Sequence, residues 1–195
     1  YTFYLHHKLY ILRDIYFSSV LFLSMFDNYL SVRGINEVSK FLDENLNSIN
    51  PAHRKNMASL CNAIIEYEKG NYSRALVQAS TIKTNTILFK SRLRPLLLKI
   101  KYEFDDFDDA KDAASNYSKY IMNNKTISDT AREKAMDFIG NYNELLKIKF
   151  MEADGYLIDR LKKKIEKIVN LRERLWFSER IDLLRTQSHL KRHIH

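Results

Sequence analysis

Glycine and proline are scarce: the 195 residues contain four of the first and two of the second, where average usage gives about twenty between them in a chain this long. A sheet that reverses direction every few residues needs those breakers, so a turn-rich β architecture does not fit. Long helices joined by short polar connections do. Cysteine is nearly absent too. Cys61 stands alone, which excludes an internal disulfide framework and fits a reducing compartment, so a cytoplasmic location is expected. With neither a histidine nor a helix N-terminus beside it, Cys61 reads as a small apolar helix residue rather than a reactive thiol. Long apolar runs are missing as well. The most apolar stretch, IYFSSVLFLSMF from Ile15 to Phe26, is bracketed by Arg13, Asp14 and Asp27. It falls short of the roughly twenty apolar residues of a membrane span. A helix apolar all round is expected there, buried in a core. Tyr1 rather than Met opens the sequence, so its first residues carry no argument about a targeting segment.

The signatures of catalysis are also absent. The sequence has no Gly-rich phosphate loop, no nucleophile elbow, no HExxH pair and no paired-cysteine zinc pattern. His189, His193 and His195 include an i,i+4 pair, but they crowd one chain end with no surrounding carboxylates to orient them. His6 and His7 are adjacent and would face different sides of a helix. No metal, no cofactor and no small-molecule substrate is expected, and the chain reads as a non-enzyme.

What is present is apolar content of 45% and a formal charge of +8, from 32 basic against 24 acidic residues. That apolar content suffices for a packed core. The charge is uneven. Residues 1–100 carry 13 basic and 7 acidic groups, 101–140 carry 6 and 9, and 141–195 carry 13 and 8. An acidic middle argues against one continuous basic track along a nucleic-acid backbone.

The sequence also repeats itself. Tyr67-Glu-Lys-Gly-Asn-Tyr72-Ser-Arg-Ala75 aligns without a gap on Tyr102-Glu-Phe-Asp-Asp-Phe107-Asp-Asp-Ala110, with Ile65 and Ile100 in register upstream, all at an offset of 35 residues. Gly70 and Asp105 suit a turn between two helices, since Gly tolerates positive φ and Asp tolerates turn geometry. The aromatic two residues later opens a second helix, and Ala75 and Ala110 let helices approach closely. Such a unit is an αα-hairpin.

These segments resemble tetratricopeptide repeats, whose unit of about 34 residues carries a Gly, an aromatic two positions on and an Ala three beyond. Gly70, Tyr72 and Ala75 match all three positions, and Phe107 and Ala110 match two. Ser59 and Asn62 stand where the family prefers an early Trp and Leu, and the family's closing Pro is absent from both units. A longer stretch, about 50–150, is similar to bacterial helical-repeat proteins through Asn50-Pro51, Tyr67 to Ala75, RPLLLKIKY from Arg94 to Tyr102 and NKTIS from Asn124 to Ser128. LRERLWFSERIDLL, from Leu171 to Leu184, looks like the closing helix of such proteins. The resemblance implies an all-α fold: a right-handed stack of antiparallel helix hairpins, a tetratricopeptide-like α-solenoid of about nine or ten helices. It implies degenerate N-terminal helices over 1–49, repeats over 50–150, and capping helices with a tail over 151–195.

Local signals place the helices. The N-terminal third reads as helices over about 2–12, 14–31 and 35–47. Asn50-Pro51 starts the next, with Met57, Leu60, Cys61, Ile64 and Ile65 on its apolar face. A partner runs from about Asn71 to Ile82. The register starts the following unit near Ser91, which puts Pro95 in a first turn. Asp105, Asp106, Asp108 and Asp109 lack the spacing of a calcium loop and read as acids at a helix N-terminus. Ser128 or Thr130 caps a helix to Phe150, Thr130 with Glu133 as a capping box, with Gly140 inside it for close packing. That helix takes Ala135, Phe138, Ile139, Tyr142, Leu145, Leu146 and Ile148 into the core. An amphipathic helix follows on Leu157, Leu161, Ile165 and Ile168. Its coiled-coil reading fails where Arg172 and Glu179 fall on the seam. Trp176 and Phe177 are expected to pack within the closing helix, with a role as partner anchors as the alternative.

Stacked hairpins bury one core and leave a groove suited to a peptide or partner helix. By the resemblance, the first helix of each unit lines it, which implies Met57, Leu60, Ile64 and Tyr67, then Arg92, Lys99, Tyr102 and Glu103. Plain interhelix packing is the alternative for the apolar members. The clamp that some family members close on C-terminal carboxylates needs Lys and Asn where Leu60 and Ile64 stand, so that ligand mode is disfavoured. The expected function is a non-catalytic protein-interaction scaffold. The alternative is binding of a nucleic acid or anionic surface through a basic helix face with Arg160, Lys163, Lys164, Lys167 and Arg174.

Overall fold

The computed structural model describes residues 16–83, 86–151 and 155–192, the side chains of 187–192 excepted. The helix expected over 2–12 lies outside them, as do His6, His7, His193 and His195. Among the described residues the fold is all-α. Nine α-helices follow in order: α1 (Ser19–Arg33), α2 (Ile35–Asn45), α3 (Pro51–Glu68), α4 (Tyr72–Ser80), α5 (Ile87–Glu103), α6 (Phe107–Asn123), α7 (Asp129–Phe150), α8 (Gly155–Ile165) and α9 (Leu171–Arg192). No helix among these residues is long and apolar enough to cross a membrane. The chain divides into two compact units, Tyr1–Phe104 and Asp105–His195. That boundary falls inside the second 35-residue segment, so α5 belongs to the first unit and α6 to the second.

In the first unit the apolar run buries Phe22, Leu23, Met25 and Phe26 in the core. Its helix starts at Ser19, not near residue 14 as the periodicity suggests. The backbone of Phe17 is used elsewhere: its N–H donates to Ser48 O at 2.7 Å, in an isolated parallel bridge between Phe17 and Ile49. The buried Phe17 ring meets Phe22 edge-on at 5.5 Å. Gly34, at φ 83, separates α1 from α2, and the two pack through Phe41, whose ring lies 5.0 Å from both Phe22 and Tyr29.

Asn50 caps α3 by accepting from Ala52 N at 3.0 Å, with Pro51 at the first helical position. α3 packs on α4 and on α5, and α4 on α5. The α3–α4 turn carries Gly70 at φ 77, a left-handed conformation that costs other L-residues roughly 1–2 kcal/mol. The expected start of the next helix near Ser91 is corrected: α5 begins at Ile87 and Pro95 lies in its interior. An interior proline costs about 3 kcal/mol through the missing N–H and its ring clash. The helix extends upstream because Phe89 is buried there, 1% exposed with the His53 ring of α3 at 6.3 Å. Downstream Leu96, Leu98 and Ile100 are buried as well.

In the second unit Asp105 holds the αL conformation at φ 57, and Asp106 caps α6 by accepting from Asp109 N at 2.9 Å. The acidic cluster thus opens a helix, with Asp108 and Asp109 in the first turn where they favour the macrodipole. Lys149 of α7 pairs with Asp105. Ser128 caps α7, accepting from Ala131 N at 3.4 Å, so the Thr130–Glu133 capping box is corrected to a single serine cap. The Arg132 guanidinium donates to the carbonyls of Ile121, Met122, Asn124 and Ile127, which satisfies the C-terminal end of α6.

α7 packs on α6, α8 and α9. It buries Phe138, Ile139, Tyr142, Leu145, Leu146 and Ile148 as expected, while Ala135 is half-buried. Trp176 and Phe177 of α9 are buried against Phe138, at 6.4 and 5.4 Å between ring centroids. Gly140 corrects a further expectation. A Cβ built there meets nothing within 4 Å, so no neighbour requires a glycine for close packing.

Candidate functional site

α3 and α5 carry the eight side chains expected to line a groove. Tyr67 sits in the last turn of α3, 6% exposed, and its hydroxyl donates to Glu103 Oε1 at 3.2 Å. Its ring lies 5.4 Å from that of Tyr72. Tyr102 is 3% exposed, Met57 and Leu60 are fully buried, and Ile64 retains 8%. The apolar members of the set therefore pack within the helix layer, the interhelix role that was their alternative. Arg92 forms an ion pair with Asp27 of α1, both partly exposed. Lys99 and Glu103 are half-buried. The remaining surface of this set is polar, suited to hydrogen bonds and charge pairing.

Asp27 was not legible from local spacing, because it lies 65 residues before Arg92. Its charge also reaches Cys61, the lone thiol, which is fully buried in α3. Burial pushes the Cys61 thiol well above its usual range. Asp27 adds to the shift and Arg92 opposes it. A thiol held protonated is a poor nucleophile, consistent with packing rather than reactivity.

The second candidate cluster has a different geometry from the one expected. A single basic helix face does not form. Arg160, Lys163 and Lys164 lie on α8, Lys167 in the turn after it, and Arg174 on α9. The helix stops after Ile165, where Ile168 N–H bonds back to Ile165 O at 3.0 Å, and Asn170 Oδ1 accepts from Glu173 N at 3.0 Å to open α9. α8 and α9 run antiparallel, tied by Lys162–Asp182 at 2.9 Å and by Asp159–Arg185.

Part of the basic charge is compensated inside the unit. Lys164 reaches Glu144 of α7 at 2.8 Å and Arg160 approaches the same carboxylate at 3.9 Å. Arg174 donates to Ile168 O at 3.5 Å. Lys163 and Lys167 are exposed at the turn end. Beside them stand three exposed aliphatic side chains, of which Val169 was not singled out in the sequence and Leu175 is a core position of the coiled-coil reading. Val169 is 95% exposed, Leu171 54% and Leu175 50%. Helical periodicity fails at this turn, so no sequence signal separated them from core positions.

Two further features are polar. A shallow open depression at the C-terminal end of α6 is lined by Lys119, Tyr120, Asn123, Asn124 and Lys125. Asn141 of α7 is buried at 3% exposure, with no hydrogen bond to its Oδ1 among the described residues. Among those residues no group of three or more His, Cys, Asp or Glu side chains is placed to hold a metal ion. No family model, curated protein or solved structure matches the chain.

Proposed function

We propose that the chain is a non-catalytic interaction scaffold of tetratricopeptide-like type, a right-handed stack of helix hairpins that binds a peptide or partner helix in the cytoplasm. The observation that carries this reading is the agreement of the 35-residue register with conformation and burial. Gly70 and Asp105, at equivalent positions, both hold positive φ. Ala75 and Ala110 are both fully buried, as are Ile65 and Ile100 to within a few per cent. The packing of α3 on both α4 and α5 adds support, since successive first helices lie side by side in such stacks.

The partner surface in this reading is the polar side of α5, through Lys99 and Glu103 with Arg92 beside them, while Tyr67 and Tyr102 support it from beneath. Affinity capture with mass spectrometry tests it, comparing the natural chain with a Lys99→Glu, Glu103→Gln variant. Glutamine keeps an acceptor for the Tyr67 hydroxyl while removing the charge. Partners lost from the variant support the α5 surface; retention of every partner contradicts it.

A second reading is favoured by the exposure of Lys163 and Lys167 at the α8–α9 turn: recognition of an anionic partner there. Binding to a single-stranded polynucleotide or anionic vesicles that weakens steeply with salt supports it, because released counterions set that dependence.

A further inference from the structure

The closed end of the α8–α9 hairpin combines exposed aliphatic side chains with exposed basic ones. Lys162 pairs with Asp182 and Asp159 with Arg185, so three steps back along α8 match three steps forward along α9. The turn over 166–170 is therefore the hairpin's apex. Val169 stands there at 95% exposure, and Leu171 and Leu175, one helical turn apart, share a face of α9 just beyond it. Around them residues 163–175 carry five basic and two acidic side chains. Lys163 and Lys167 have long aliphatic stems that can lie along apolar surface while their ammonium groups stay at the polar boundary.

A nucleic acid uses only half of this arrangement. Its phosphates take the basic groups, but its bases stack on aromatic rings, and Trp176 and Phe177 are turned into the core at 5% and 0% exposure. An anionic bilayer uses both halves: aliphatic side chains enter the acyl boundary, and lysines meet the headgroup charge. We infer that the α8–α9 apex, through Val169, Leu171 and Leu175 with Lys163 and Lys167, docks this protein reversibly on an anionic lipid surface. The inference rests on the anionic-partner reading above and adds to it the lipid and the insertion of the apex.

Co-sedimentation of the full chain with vesicles tests it, using phosphatidylcholine alone, phosphatidylcholine mixed with phosphatidylserine, and polyuridylate as a lipid-free polyanion. The expected result is binding to the mixed vesicles and little to phosphatidylcholine alone. Val169→Ser with Leu171→Ser, which leaves the charge unchanged, weakens that binding several-fold. Lys163→Glu with Lys167→Glu weakens it more than tenfold, each basic side chain near such a surface being worth about fivefold. Vesicle binding that survives the serine changes overturns apex insertion and leaves the anionic-partner reading standing. Polyuridylate binding that is lost on charge reversal, with no vesicle binding, does the same. Binding to neither overturns both.

Discussion

The Tyr67 hydroxyl donates to the Glu103 carboxylate at 3.2 Å, joining the last turn of α3 to the last turn of α5. The two residues are 36 positions apart, one more than the 35-residue offset, so Glu103 is the register equivalent of Glu68, the neighbour of Tyr67. The bond thus ties the end of α3 to the end of α5 at almost the same level of the 35-residue offset. Tyr67→Phe keeps the buried ring and removes the donor. Urea denaturation should show a loss of about 1 kcal/mol, the usual net worth of such a bond, with the slope unchanged.

Glu66 gives a pH prediction. Its carboxylate accepts from Asn71 Nδ2 at 2.9 Å and Lys69 Nζ at 3.2 Å, tying the α3–α4 turn back onto α3. The Asn71 amide, then Lys69, hold it below the ordinary 4.5. A carboxylate whose folded value is depressed adds stability above its unfolded value and loses it as pH falls through the folded value. Titration followed by carboxyl-carbon NMR should therefore place Glu66 below a free glutamate. Asn71→Ala should move it upward. No movement in that variant would show that the amide is not the main cause.

Gly140 is a glycine without a local reason. It sits within α7 away from positive φ, and a Cβ there meets nothing within 4 Å. Alanine at a compatible helix position gains roughly 0.5–1 kcal/mol by narrowing the unfolded ensemble. Gly140→Ala should raise stability by about that amount in thermal or urea unfolding. A destabilised variant would mean that a neighbour uses the space.

Capping and aromatic signals were readable because they act over a few residues. The Asn50 cap ahead of Pro51, the acids that open α6 and the Trp176–Phe177 packing follow from local chemistry, whereas the Thr130–Glu133 box gave way to a Ser128 cap. Long-range pairing was not readable. The Phe17–Ile49 bridge displaced the start of α1, and burial of Phe89 drew α5 about one turn upstream so that Pro95 became interior. The same limit applied to the groove candidates. The tetratricopeptide resemblance implied Tyr67 and Tyr102 as groove-lining, but local sequence did not say whether their helix faces meet a ligand or a neighbouring helix. Nor did it reveal that Arg92 answers Asp27. Where the basic stretch crossed a turn, a single helical period projected two helices onto one face.

The scaffold proposal depends on the 35-residue register being a structural repeat, and paired substitution at equivalent small positions tests that most directly. Ala75 and Ala110 are both fully buried at matching positions of α4 and α6. Urea unfolding of Ala75→Leu and of Ala110→Leu should show comparable losses, each about 1–3 kcal/mol, as overpacking of a tight helix contact generally costs. If leucine is tolerated without loss at one position and not at the other, the two segments do not share a packing role and the repeat account is contradicted.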